Sequence, residues 1–415
     1  MILTSSRLYR DLPISIYFIC LATVIDYFTV ENINYLFITC SVLGIITLVF
    51  FHFRAVPKPG NDFLILIYVF MIVVSLWNYS TSRWTSLLYS GFFVITFILY
   101  TPFIQQYFGV AQFRRLLKIV FYLYFAGLLV GQLNVSLNIF SPLSGIIGFM
   151  RGSFGTILEK DGLRYFSLSS EPSYAAFIVI VIYYMYLKLN PRRSALLQWE
   201  NLLLFLMLLY MIYMFKSAYG IVLVGLLVLD QVGFSTKLIW MALAVAGVLT
   251  FIVLNDYDIR ALNRVIAVVE KIELNNLHSL FSIDFTAYYR VAPVLYYMEL
   301  ADWTNLHFLL GHGAGTSRFF VVPEIYGGYT GGEFLGGFMP GFFYDYGVIG
   351  GAMVVFFVFR QIPSFFSFPT AAMGLMLLNA NFNTQLFWFL IVCFSMNQHF
   401  SEQVKREVVV VKPLT

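Results

Sequence analysis

Long apolar runs, separated by short polar breaks, fill most of this chain. A membrane-crossing helix needs about 20 mostly apolar residues. By that measure the sequence predicts helical spans near 12–28, 33–53, 62–79, 84–104, 116–134, 172–190, 199–215, 217–233, 236–254, 340–360, 364–378 and 384–397. The expected fold is all-α: a polytopic transmembrane helical bundle of about 12 spans, one integral membrane domain over 1–415. The seventh and eighth runs meet at Lys216-Ser217-Ala218-Tyr219-Gly220, which reads as a tight hairpin or one broken helix, with Lys216 marking the turn. The eleventh run is short, either complete or re-entrant. Leu12 to Phe28 has no small-residue cleavage site after it and reads as a first span, not a cleaved signal.

Two gaps between the runs are long, 135–171 and 255–339. Loops of that length in a compact membrane protein point to function. Inside the second, Ile259, Leu262, Ile266 and Val269 recur at helical spacing, which predicts an amphipathic helix over 259–281, on the membrane surface or capping the bundle. Beyond Trp303 the loop turns glycine-rich, from Gly311 to Gly336-Gly337, and reads as irregular and mobile.

Composition agrees with the pattern. Only 11% of the 415 residues are charged and 60% are hydrophobic, whereas soluble domains carry about 25% charged residues. The net charge of +4 is scattered through short connections, which excludes a nucleic-acid footprint. Cys20, Cys40 and Cys393 lie inside apolar runs and make neither a metal spacing nor a disulfide framework.

Lysine and arginine set the expected orientation. With both termini cytoplasmic, 15 of the 25 basic residues fall on the inner side, and the short connections obey the positive-inside rule. The two long loops then lie outside and break it. Their basic residues, among them Arg151, Arg164, Arg290 and Arg318, call for another explanation.

Four constellations could carry chemistry. Arg164 and Glu171 flank the entry to the sixth run and would share a face if that stretch were helical. Pro172 marks a helix start with Ser169 or Ser170 as cap, so Glu171 is either a helix-start acid paired with a base or a carboxylate acting on a hydroxyl. Tyr288-Tyr289-Arg290 offers a planar guanidinium suited to phosphate oxygens, or an interfacial arginine. In Gly311-His312-Gly313-Ala314-Gly315-Thr316, the backbone is free to form an anion nest and His312 to act as base, or the run is a simple turn. Asp256-Tyr257-Asp258 fits a solvated helix end better than a metal site. No metal ligands and no cofactor are expected.

Two large external loops on such a chain, the Arg-to-Ser-Glu-Pro-Ser stretch, Tyr-Arg-x-x-Pro and Gly-His-Gly-x-Gly together resemble the Wzy-type O-antigen polymerases, related to O-antigen ligases and exopolysaccharide polymerases. Arg151, ten residues and Gly162 also resemble the Arg-x(10)-Gly pattern of some such loops; Arg290 departs from it, since Ala301 stands at the glycine position. The resemblance implies a GT-C-like, metal-independent glycosyltransferase of the bacterial inner membrane with periplasmic loops. Its donor and acceptor are glycans on undecaprenyl pyrophosphate, and its partners include a chain-length regulator and a flippase. The acceptor hydroxyl attacks the donor's anomeric carbon and lipid pyrophosphate leaves. Arg164 and Arg290 would hold the pyrophosphate, with Arg151, Arg318 and Tyr289 in support, and Glu171 or His312 would serve as base. An O-antigen ligase is the nearest rival. A flippase or other transporter is the rival of another class, disfavoured because no internal repeat is visible and the charges gather in external loops.

Overall fold

A computed structural model describes residues 2–23, 29–30, 33–52, 61–137, 156–159, 162–190, 198–231, 293–322, 329–330, 337–362, 364, 367–378 and 380–410. Eleven of the twelve apolar runs carry a helix: α1 (Ile2–Ala22), α2 (Tyr35–His52), α3 (Asn61–Trp77), α4 (Trp84–Tyr107), α5 (Val110–Leu137), α6 (Pro172–Lys188), α7 (Trp199–Phe215), α8 (Ala218–Gln231), then, after the short α9 (Leu306–Leu310), α10 (Phe343–Arg360), α11 (Phe368–Leu377) and α12 (Gln385–Val410). The run at 236–254, the amphipathic stretch 259–281 and Asp256-Tyr257-Asp258 lie outside the described residues. Among the described residues, three helical stretches are long and apolar enough to cross a membrane: Trp84–Tyr107, Val110–Leu137 and Phe338–Arg360, of 24, 28 and 23 residues.

Two helices outrun their apolar segments. Helix α1 reaches back to Ile2 through Arg7 and Arg10, and α12 continues to Val410 past Glu402 and Lys405. Hydropathy marks only the lipid-soluble part of a helix, whereas its backbone hydrogen bonds continue where side chains turn polar. At Lys216 the backbone enters the left-handed region, φ +49, and ends α7 before α8 begins at Ala218. The junction is a turn between two helices.

Strands occur only as short antiparallel pairs among the described residues. One matters for the site. Thr156–Glu159 (β1) pairs with Gly162–Tyr165 (β2), Ile157 opposite Arg164 and Glu159 opposite Gly162. Arg164 is therefore on a strand, not on a helix shared with Glu171. The two-residue connection between Glu159 and Gly162 suits a tight hairpin better than helical continuation.

Helix α6 is the centre of the core. From Ala175 to Ile182 every residue is fully buried. A helix apolar on all sides is stable only when neighbours enclose it, and α5, α7, α8 and α12 do so. Peripheral helices instead show outward apolar stripes, such as Ile65, Leu66, Val69, Val73 and Leu76 on α3, which suits lipid contact.

A chain of contacts places the two loop regions at one end of the bundle. The Ser167 hydroxyl donates to the Tyr124 carbonyl at 2.6 Å, and the Tyr124 hydroxyl to the Ala22 carbonyl at 2.6 Å. The Gln385 side-chain amide donates to the carbonyl of Thr23 at 3.2 Å, closing the end of α1 against the start of α12. Phe382, just before α12, packs on Phe342 at 5.4 Å between centroids, just before α10.

Candidate active site

The glycine-rich run is ordered from Gly311 to Phe319 and folds around a buried acid. Asp345, in the first turn of α10, is only 6% exposed. The amide of Gly315 donates to its Oδ2 at 2.9 Å and that of Ser317 to its Oδ1 at 2.7 Å. The Thr316 hydroxyl lies 3.2 Å from Oδ1 and 2.7 Å from the Gly313 carbonyl, so its single proton serves one acceptor at a time. The anion nest expected of this run thus exists, and the chain's own carboxylate fills it. The backbone of this part is irregular, as expected, but the reading of its amides as open to a ligand is corrected at Gly315.

Docking needs unusual backbone at two glycines. Gly311 holds φ +91, and a Cβ there would strike the backbone of Asp345 and Tyr346. Gly347 holds φ +67 within α10, facing the backbone of Leu309 and Leu310. The opposite side of the loop is fixed by the α3–α4 corner: the Arg83 amide donates to the Ala314 carbonyl at 2.7 Å, and the Ala314 amide to Ser75 Oγ at 3.2 Å.

His312 is held in one orientation. Its amide and its Nδ1 each lie 3.1 Å from the Tyr344 carbonyl. A carbonyl can only accept, so Nδ1 carries the proton and Nε2 presents its lone pair. Nε2 has no partner among the described residues. The ring stacks on Tyr344 at 4.2 Å and on His307 at 4.8 Å. His307 Nδ1 lies 3.3 Å from the Gly311 carbonyl, which fixes its tautomer in the same way. Burial pushes the His312 pKa below its ordinary value, the Tyr344 carbonyl opposes this, and the neighbouring His307 adds to it. His312 is therefore a neutral, oriented base at neutral pH. Phe320 packs edge-on against Tyr344 at 5.1 Å, and Tyr296 packs on Phe320 at 5.5 Å, extending an aromatic face from the stack.

Arg164 and Glu171 lie at the same end but take separate duties. Arg164 Nε donates to the Phe215 carbonyl at 3.4 Å, placing its cation at the negative C-terminus of α7. Glu171 is the N-cap residue of α6 with Pro172 in the first turn; neither Ser169 nor Ser170 caps. The Ser173 hydroxyl donates to Glu171 Oε2 at 3.1 Å, and no ion pair joins Glu171 to Arg164. Arg318 is exposed, with its guanidinium 4.5 Å over the Phe319 ring. No hydrogen bond, ion pair or ring contact among the described residues links the 164–173 stretch to His312. Arg151, Tyr289 and Arg290 lie outside the described residues.

Asp345, Tyr344 and His307 belong to this site and were not singled out from the sequence. The available signal was an ionisable residue inside an apolar run, Phe343-Tyr344-Asp345-Tyr346, because such residues need a partner. No protein-family model, curated protein or solved structure matches this chain.

Proposed function

We propose that this chain is a membrane glycosyltransferase that joins lipid-pyrophosphate-linked oligosaccharide repeats into a surface polysaccharide, as the Wzy-type O-antigen polymerases do. The observation that carries the reading is His312, neutral, with Nδ1 anchored on the Tyr344 carbonyl and Nε2 unpartnered among the described residues, beside an aromatic face. Such a base takes the proton of an acceptor sugar hydroxyl while its oxygen bonds to the donor's anomeric carbon. The bond from that carbon to the pyrophosphate breaks, and undecaprenyl pyrophosphate leaves. Glu171 is the weaker base, since it is exposed and serves as the N-cap residue of α6.

The leaving group develops charge that arginines stabilise. Arg164 and Arg318 are the described candidates, with Arg290 and Arg151 completing the set in the proposal. The aromatic face suits sugar rings. The site works at the periplasmic side of a bacterial inner membrane in a bundle of about 12 spans, both termini cytoplasmic, alongside a flippase and a chain-length regulator.

A transporter draws support from one feature, the interruption of α10 at Gly347. That break is packed by the backbone of Leu309 and Leu310, which leaves a solute little room there. The test is the surface glycan of a strain lacking the gene, together with polymerisation of lipid-linked repeats by the purified protein. Single attached repeats without long chains support a polymerase. Loss of both supports a ligase, and movement of lipid-linked glycan without elongation supports a transporter.

A further inference from the structure

Helix α4 runs away from the His312 loop for 24 residues, about 36 Å at 1.5 Å per residue. Helix α5 begins there, at the far end of the bundle. Its second and third turns carry Arg114, Arg115 and Lys118, three cations on neighbouring turns. Lys118 is already paired with Glu200 at the start of α7, and the Tyr186 hydroxyl donates to the same Glu200 oxygen at 3.0 Å. Asp11, on α1, faces the Gln112 amide at 3.5 Å. Glu200 also lies within electrostatic reach of Arg114, so one carboxylate serves two of the three cations. Arg114 lies with its guanidinium carbon 4.7 Å over the Tyr186 ring, and its Nε is enclosed with no hydrogen-bond partner. Arg115 is exposed.

An enclosed guanidinium N–H without an acceptor is rare in a finished structure. The chain itself shields that Nε, so an external oxygen ligand meets the guanidinium at its outer nitrogens, and Arg115 adds a second charge beside it. The same face of α5 continues into exposed apolar residues: Ile119, Tyr122 and Leu123 follow Arg115 at helical spacing and are 42%, 40% and 37% exposed. Trp199, 86% exposed, stands beside Glu200, and Trp is favoured at membrane interfaces. Cationic head and apolar stripe together have the shape of an amphiphile.

We infer that Arg114 and Arg115, over the floor made by Tyr186, bind the phosphate headgroup of an anionic membrane lipid whose acyl chain lies along Ile119, Tyr122 and Leu123. Basic pockets between helices are recurrent seats for such headgroups. The site is remote from His312 and is independent of the proposed reaction.

Native mass spectrometry of the full-length protein in detergent tests it, with phosphatidylglycerol, phosphatidylcholine of the same acyl chains, and inorganic phosphate as probes. Retention of phosphatidylglycerol over phosphatidylcholine is expected, together with about tenfold weaker retention by the Arg114→Gln/Arg115→Gln variant. Equal retention of the two lipids, or a double variant that binds like the parent, overturns the site. Binding of inorganic phosphate as tight as that of phosphatidylglycerol overturns the lipid assignment. If the double variant does not fold, Arg115→Gln alone, at an exposed position, should weaken phosphatidylglycerol retention about threefold, and no change there overturns the proposal.

Discussion

The amide of Gly315 donates to Asp345 Oδ2 across 2.9 Å, tying a loop that precedes α10 to that helix's first turn. The bond is one of a set that makes a glycine-rich segment rigid.

Asp345→Ala removes the acceptor for the Gly315 and Ser317 amides in a buried setting. Unsatisfied buried donors cost about 1–3 kcal/mol each, so for the two amides a loss of about 2–6 kcal/mol is expected, concentrated in the loop. Hydrogen exchange of amides 313–317 is the measurement. Protection equal to that of the parent would show that the carboxylate does not hold the loop.

His312→Ala should slow glycan polymerisation about 100-fold to 10,000-fold, the range for loss of a general base. The pH dependence has a definite sign. Burial lowers the His312 pKa, so the base form persists below the ordinary histidine range near 6.5, and the acid limb of the rate profile should fall below it. The folded state also binds this proton less readily than the unfolded chain. Its stability contribution is therefore present above about pH 6.5 and is lost as pH falls through the lower folded value. A rate profile with its acid limb above pH 7 contradicts this assignment.

Arg164→Ala is expected to abolish polymer while the protein still inserts. The helix-end contact to Phe215 is worth about 0.3–1 kcal/mol, too little to prevent folding. Arg164→Lys keeps the charge but loses the planar fork and should recover only part of the activity. Normal chain length in the alanine variant, read on a glycan gel, would leave Arg164 with its structural task alone.

Gly311→Ala forces a side chain into φ +91 and against the Asp345 backbone. A loss exceeding about 1 kcal/mol is expected. Membrane insertion should persist and turnover should drop, because the adjacent His312 loses its seat on Tyr344. A thermal melt paired with the polymerisation assay separates the two effects.

Most helices were legible because each is a long apolar run, and the start of α6 because Pro172 follows Glu171. His312 was legible from its glycine neighbours. Asp345 was not, since its meaning depends on amides thirty residues earlier in the chain and no local pattern records that meeting. The strand that carries Arg164 was not legible for a related reason: the β-hairpin of Thr156–Glu159 with Gly162–Tyr165 is too short to show clear alternation. The polar ends of α1 and α12 escaped because hydropathy follows lipid solubility and not helicity.

The enclosure of α6 carries a consequence for labelling chemistry. A photoactivated probe dissolved in the acyl chains should tag the outward residues of α3, Leu66 and Val73 among them. It should leave Ala175–Ile182 unmarked, although that segment is as greasy as any in the chain. In this molecule apolarity and outward exposure are separate properties, and α6 is a protein-solvated mast around which the helices with outward apolar stripes are rigged.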